Sequence, residues 1–121
     1  MIVVINLKIF IYASNKNKIY HIFKDYLKLN KVKVITNMKQ VKDADFLLVV
    51  NATYNKEIYS LVQDFLDIGR EIFVIPNGID KKEAYFSNLL IKEGAIVITS
   101  RYELLKYLHV MYKNLIIEKK I

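Results

Sequence analysis

GREIFVIPNGIDKKEAYFSNLLIKEGAIVITS, residues 69–100, decides how this chain folds. The stretch holds all three glycines, Gly69, Gly78 and Gly94, and the single proline, Pro76. Glycine and proline are the strongest local punctuation a sequence has, and here they fall at the seams between elements. Residues 71–76 are a short apolar run between Gly69 and Pro76-Asn77-Gly78, the pattern of a buried strand. Leu89, Leu90 and Ile91 lie on a following helix of about three turns, which Gly94 closes at its C-terminus. Residues 96–99 are a second, β-branched strand. Strand, helix and strand make a βαβ crossover, so the two strands are expected to run parallel.

The same alternation continues outward in both directions. KIFIYA, residues 8–13, reads as a strand, with residues 2–5 as a backward extension. After the polar turn Ser14-Asn15-Lys16-Asn17, the spacing of Ile19, Ile22, Phe23, Tyr26 and Leu27 predicts an amphipathic helix closed by Asn30. Lys18, Lys24, Lys28 and Lys31 fall on its wet side. Residues 32–36 are the next strand, 37–42 a connector, and 46–51 a near-continuous apolar strand of the kind buried on both faces of a parallel sheet. Ile58, Leu61, Val62, Phe65 and Leu66 predict a second helix stopped by Gly69. Leu104, Leu105, Leu108 and Met111 predict a last one over 102–112, with a tail that either continues it or frays. The fold class expected is α/β, a single three-layer Rossmann-like domain over residues 1–121 with about five mostly parallel strands.

Composition narrows the function classes. At 54% hydrophobic and 26% charged the chain is globular rather than disordered. It has no cysteine, which excludes disulfides, thiolate metal sites and a cysteine nucleophile and fits a reducing cytoplasm. The apolar start, residues 1–14, is shorter than the roughly 20 residues a membrane-spanning helix needs, is interrupted by Asn6 and Lys8, and reads as a buried strand. Formal net charge is +7, unevenly spread: residues 1–42 hold nine lysines against one acid, Asp25, while the remainder is almost balanced. A one-sided basic face is what polyanion binding requires. Lysine-rich coding with solvated helix faces would give the same count.

The residues of the 69–100 stretch also resemble the DNA-processing family DprA, or Smf. Gly69-Arg70-Glu71, a strand ending in Pro76, then Ile79-Asp80 match its pattern, and Ser87-Asn88-Leu89-Leu90-Ile91-Lys92-Glu93-Gly94-Ala95 follows its Ser-Asn-x-Leu-Ile-x-Glu-Gly-Ala signature. Upstream, Ala44-Asp45-Phe46-Leu47-Leu48-Val49-Val50 resembles the family's Ser-Asp-Ala-Val-Leu-Val-Val, so the likeness runs from Asp45 through Ser100. Ile19 and Tyr20 fit the family's Gly-x-Gly-Leu-Asp-x-Ile-Tyr-Pro pattern, with Ala13 and Asn15 in place of its glycines and His21 in place of its proline. Asn37 aligns with the asparagine of its Arg-Asn-Arg motif, flanked here by Thr36 and Met38. The family's Ser-Gly-Ser motif reads Lys56-Glu57-Ile58, and its earlier Gly-Ser-Arg and Gly-Gly-Ala elements have no counterpart in these residues. The chain thus resembles the second half of a DprA-type domain whose phosphate-loop glycines are replaced.

What that resemblance implies is a non-catalytic protein that protects incoming single-stranded DNA, helps load a RecA-type recombinase, and acts as a cytoplasmic homodimer without a cofactor. In open parallel sheets ligands bind outside the carboxyl ends of the strands. That edge comprises residues 14–18, 37–39, 51–56, 77–78 and 100–101, rich in Asn and Lys. Lys16, Lys18, Asn37, Lys39 and Lys56 are the expected phosphate contacts. Ser14, Asn51, Asn77 and Gly78 would contact a nucleotide if the chain is instead a sensor of the wider superfamily, and a degenerate self-associating scaffold is the third reading. Tyr12, Tyr20, Tyr54 and Tyr85 lie near strand ends or loops and could stack on bases, while Phe23, Phe46, Phe65 and Phe73 belong to the core. His21 and His109 lack metal-ligand spacing; Asp43 and Asp45 read as turn residues. Ser14, Ser60, Ser87 and Ser100 lack a nucleophile-elbow context, and neither a Walker A nor a G-x-G-x-x-G sequence occurs.

Overall fold

In the computed structural model, which describes residues 7–119, strands and helices alternate along the chain. The strands are β1 (Lys8–Ala13), β2 (Lys33–Ile35), β3 (Phe46–Asn51), β4 (Ile72–Val74) and β5 (Ile96–Val97). The helices are α1 (Lys18–Leu29), α2 (Lys56–Asp67), α3 (Tyr85–Lys92) and α4 (Arg101–Lys119). Every strand pair is parallel, and the order across the sheet is β2-β1-β3-β4-β5. The fold is therefore the expected three-layer Rossmann-like α/β domain. Residues 2–5, the expected backward extension of β1, and the last two residues of the tail lie outside the described residues.

Period-two alternation divides the core into two halves. Ile9, Ile11, Phe46, Leu48, Val50 and Phe73 meet Tyr20, Phe23 and Leu27 of α1 and Leu104 and Leu108 of α4. Phe10, Ile35, Leu47, Val49, Ile72 and Val74 face the other way, onto α2 and α3. All six residues of β3 are buried, because this central strand is covered on both sides. α1 keeps the expected face at Phe23 and Leu27, with Ile22 and Tyr26 half-buried, and differs at its start. Its buried stripe is Tyr20, Phe23 and Leu27, and Ile19 is exposed. At that start Asn17 is the N-cap, its Oδ1 accepting the Tyr20 N–H at 3.1 Å. The connector at 37–42 is an ordered 3₁₀ helix, Met38–Asp43, opened by the same device: Asn37 Oδ1 accepts the Lys39 N–H at 3.0 Å. α3 is shorter than expected, at eight residues, with a 3₁₀ turn, Lys82–Ala84, leading into it.

Three helices end in one and the same way. In α1 the Val32 N–H donates to the Leu27 carbonyl at 3.0 Å and Lys31 N–H to the Lys28 carbonyl at 3.1 Å. In α2 the equivalent bonds are Arg70 to Phe65 and Gly69 to Leu66; in α3 they are Ala95 to Leu90 and Gly94 to Ile91. This Schellman closure needs a left-handed residue just past the helix. Gly69 (φ 71°) and Gly94 (φ 105°) supply it freely, but α1 uses Lys31 at φ 63°. A side-chain-bearing residue there costs about 1–2 kcal/mol. The sequence shows two of the three closures and hides the third. Among the described residues no helix is long and apolar enough to cross a membrane.

Candidate nucleic-acid interface

The strand order reverses between β1 and β3, which makes the carboxyl ends of those strands the switch point where open α/β sheets bind ligands. A shift in pairing between Tyr12 and Ala13 brings Ala13 opposite Asn51 at that point. Asn51 is fully buried, and its amide spans the gap: Oδ1 accepts the Asn15 N–H and Nδ2 donates to the Asn15 carbonyl, each at 2.8 Å. Ser14 adds a second tie, with its Oγ accepting the Thr53 N–H at 2.9 Å. The β1–α1 loop is thus laced to the β3–α2 loop.

Asn55 and Asn77, on the same rim, are committed in similar ways. Asn55 Oδ1 caps α2 by accepting the Ile58 N–H at 2.9 Å, and its Nδ2 donates to the Tyr12 hydroxyl at 3.3 Å. Asn77 Nδ2 donates to the Val50 and Ile75 carbonyls, both at 2.8 Å. Its backbone pairs twice with the Asn88 side chain at 3.3 Å. Asn51 and Asn77, expected as nucleotide contacts, and Asn37, expected as a phosphate contact, therefore hold loops in place. Gly78 is exposed, and a side chain there would meet only the flexible end of Lys81 at 3.8 Å.

The lysines are placed differently. Lys16, Lys18, Lys39 and Lys56 are all exposed on the carboxyl rim, around the starts of α1, α2 and the Met38–Asp43 turn. Lys16 lines a groove of about 150 Å³ with Tyr12, Thr36, Met38 and Glu57. Its Nζ also lies 5.8 Å from the Tyr20 ring centroid, as does that of half-buried Lys24. The remaining lysines of the first third, Lys8, Lys28, Lys31, Lys33 and Lys42, belong to the opposite rim, near the amino ends of β1, β2 and β3. The basic excess expected on one face is divided between two.

Four tyrosines were expected as stacking platforms. Tyr20 is a core residue, 2% exposed, and Tyr12 is half-buried. Tyr54 and Tyr85 are 59% and 72% exposed and share a groove of about 440 Å³ with Thr53, Ile79, Asp80 and Lys82. Phe86 buttresses Tyr54 edge-on at 5.5 Å. Ile79, Asp80 and Lys82 were not among the expected site residues; the turn Pro76-Asn77-Gly78, which carries them past the end of β4, was the signal for them. Phe23, Phe46, Phe65 and Phe73 are buried as expected.

Asp45, Ser87 and Ser100 have architectural partners. Asp45 Oδ2 accepts the Lys8 N–H at 3.0 Å, Ser87 Oγ donates to the Ala84 carbonyl at 3.1 Å, and Ser100 Oγ accepts the Glu103 N–H at 3.1 Å. Among the described residues no three His, Asp or Glu side chains gather as a metal site, and His21 and His109 are both exposed. No family model, curated protein or solved structure matches this chain. The rim carries exposed ammonium groups around two helix starts and a tyrosine-lined groove beside them. Of its acids, Glu57 and Asp80 line different grooves, and Glu103 accepts hydrogen bonds from Thr99. Such a surface has the chemistry for point-charge contacts to phosphate and for stacking on bases.

Proposed function

We propose that this chain is a non-catalytic, single-stranded-DNA-binding protein of the DprA/Smf type, serving DNA uptake and recombination alongside a RecA-type recombinase, in the cytoplasm and as a homodimer. What supports the reading is the carboxyl rim, where Lys16, Lys18, Lys39 and Lys56 are all exposed around the switch point. The residue-level likeness from Asp45 through Ser100 adds to it. A fluorescent single-stranded oligonucleotide titrated at low salt is expected to bind with a micromolar or tighter Kd and to weaken steeply as salt rises. Lack of binding at low salt sinks the proposal.

One observation favours a second reading, a nucleotide sensor. The Tyr54–Tyr85 groove, about 440 Å³, falls within the roughly 300–1,000 Å³ of small-ligand sites. A nucleotide bound there at 100 times its Kd should raise stability by about 2.7 kcal/mol. Thermal-shift screening against nucleotides reads this directly, and a flat response across the set removes the second reading.

A further inference from the structure

The lysines on the opposite rim break two local rules at one place. Lys8 and Lys33 are register partners on adjacent parallel strands, so two like charges stand opposite each other, an arrangement that costs stability. Two residues before Lys33, Lys31 occupies the left-handed position that α2 and α3 give to glycine. Lys28, Lys31 and Lys33 are all exposed and lie within six residues of one another, where α1 hands over to β2. Sites where local preferences are broken without a packing gain are where function is to be sought. Asp25, exposed on α1, lies three residues before Lys28, and Asp45 has its Oδ2 taken by the amide of Lys8, the register partner of Lys33.

α1 connects this rim to the other one. It begins at Lys18, two residues past Lys16, carries Lys24 midway, and has Lys28 in its last turn, a length of about 18 Å. Its only acid is Asp25, whereas α2 carries Glu57, Asp64 and Asp67 against Lys56 alone. We infer that Lys28, Lys31 and Lys33 form a second phosphate-contact surface for the same single strand, which crosses the carboxyl rim at Lys16 and Lys18, follows α1, and leaves over the amino rim. This rests on the single-strand reading above and adds the path of the strand to it.

The left-handed lysine supplies a clean test. In the variant K28Q/K31G/K33Q three charges are removed, and the glycine relieves the backbone, so the melting temperature should be unchanged or higher. Each phosphate contact on a single strand contributes about 0.7 to the slope of log affinity against log salt. With oligo-dT of about 20 nucleotides the slope should fall in magnitude by about 2, and affinity near 0.1 M salt by about a hundredfold. A short oligomer that reaches only the carboxyl rim should bind both proteins alike. K31G alone, folded at least as well as the parent, should lower the slope by about 0.7. Wild-type binding with an unchanged slope in both variants overturns the path and leaves the single-strand reading standing. Failure of the wild type to bind overturns both.

Discussion

Replacing Lys16, Lys18, Lys39 and Lys56 together with glutamine is expected to weaken single-stranded oligonucleotide binding by about three orders of magnitude near 0.1 M salt. The size follows from counterion release. Four phosphate contacts at about 0.7 each change the slope of log affinity against log salt by about 3, and at 0.1 M each unit of slope is a factor of ten. The deficit should close as salt approaches 1 M, where the term vanishes, and that convergence separates lost charge from damaged structure. All four side chains are exposed, so the melting temperature should barely move. Asn37 is deliberately absent from the set, since its Oδ1 is committed to the Lys39 amide. An oligonucleotide titration series that keeps the parent's slope in the quadruple variant would remove the carboxyl rim as the interface.

How much of this could be read beforehand depends on how local each cause is. Gly69 and Gly94 marked the ends of α2 and α3 because a left-handed residue past a helix is nearly a glycine signature. Lys31 does the same work for α1, and nothing in its side chain advertises it. β3 was legible as an unbroken apolar run, yet its position between β1 and β4 was not, because strand order is a matter of distant pairings. At the rim the difficulty was chemical. Asparagine binds phosphates and nucleotides with the same amide that caps helices and bridges loops. Asn17, Asn37 and Asn55 cap, and Asn51 and Asn77 bridge. Lysine has no such local alternative, and the lysines expected at the carboxyl rim are exposed there.

Asn51→Asp tests that division of labour, and it should destabilise the protein by about 3 kcal/mol at neutral pH. The substitution keeps the shape and the acceptor that receives the Asn15 N–H, but replaces the donor with an oxygen 2.8 Å from the Asn15 carbonyl. It also places a charge where the native side chain is 0% exposed. Protonating the new carboxyl restores a donor toward that carbonyl and removes the buried charge. The folded state therefore holds this proton more tightly than the unfolded chain, whose carboxyl titrates near about 3.9. Between that value and the raised folded one, the folded state binds more protons, so stability falls as pH rises. The gap in unfolding free energy between variant and parent should accordingly narrow as pH is lowered from 7 toward 4. Asn51→Leu, which loses both bonds but gains no charge, should cost about 2 kcal/mol with a gap independent of pH. Both variants should loosen the β1–α1 loop that carries Lys16, seen as lost hydrogen-exchange protection at the Asn15 and Thr53 amides. A parent-like denaturation midpoint for Asn51→Asp at pH 7 would mean the bridge does not hold the loop, and that Asn51 is free to serve a ligand.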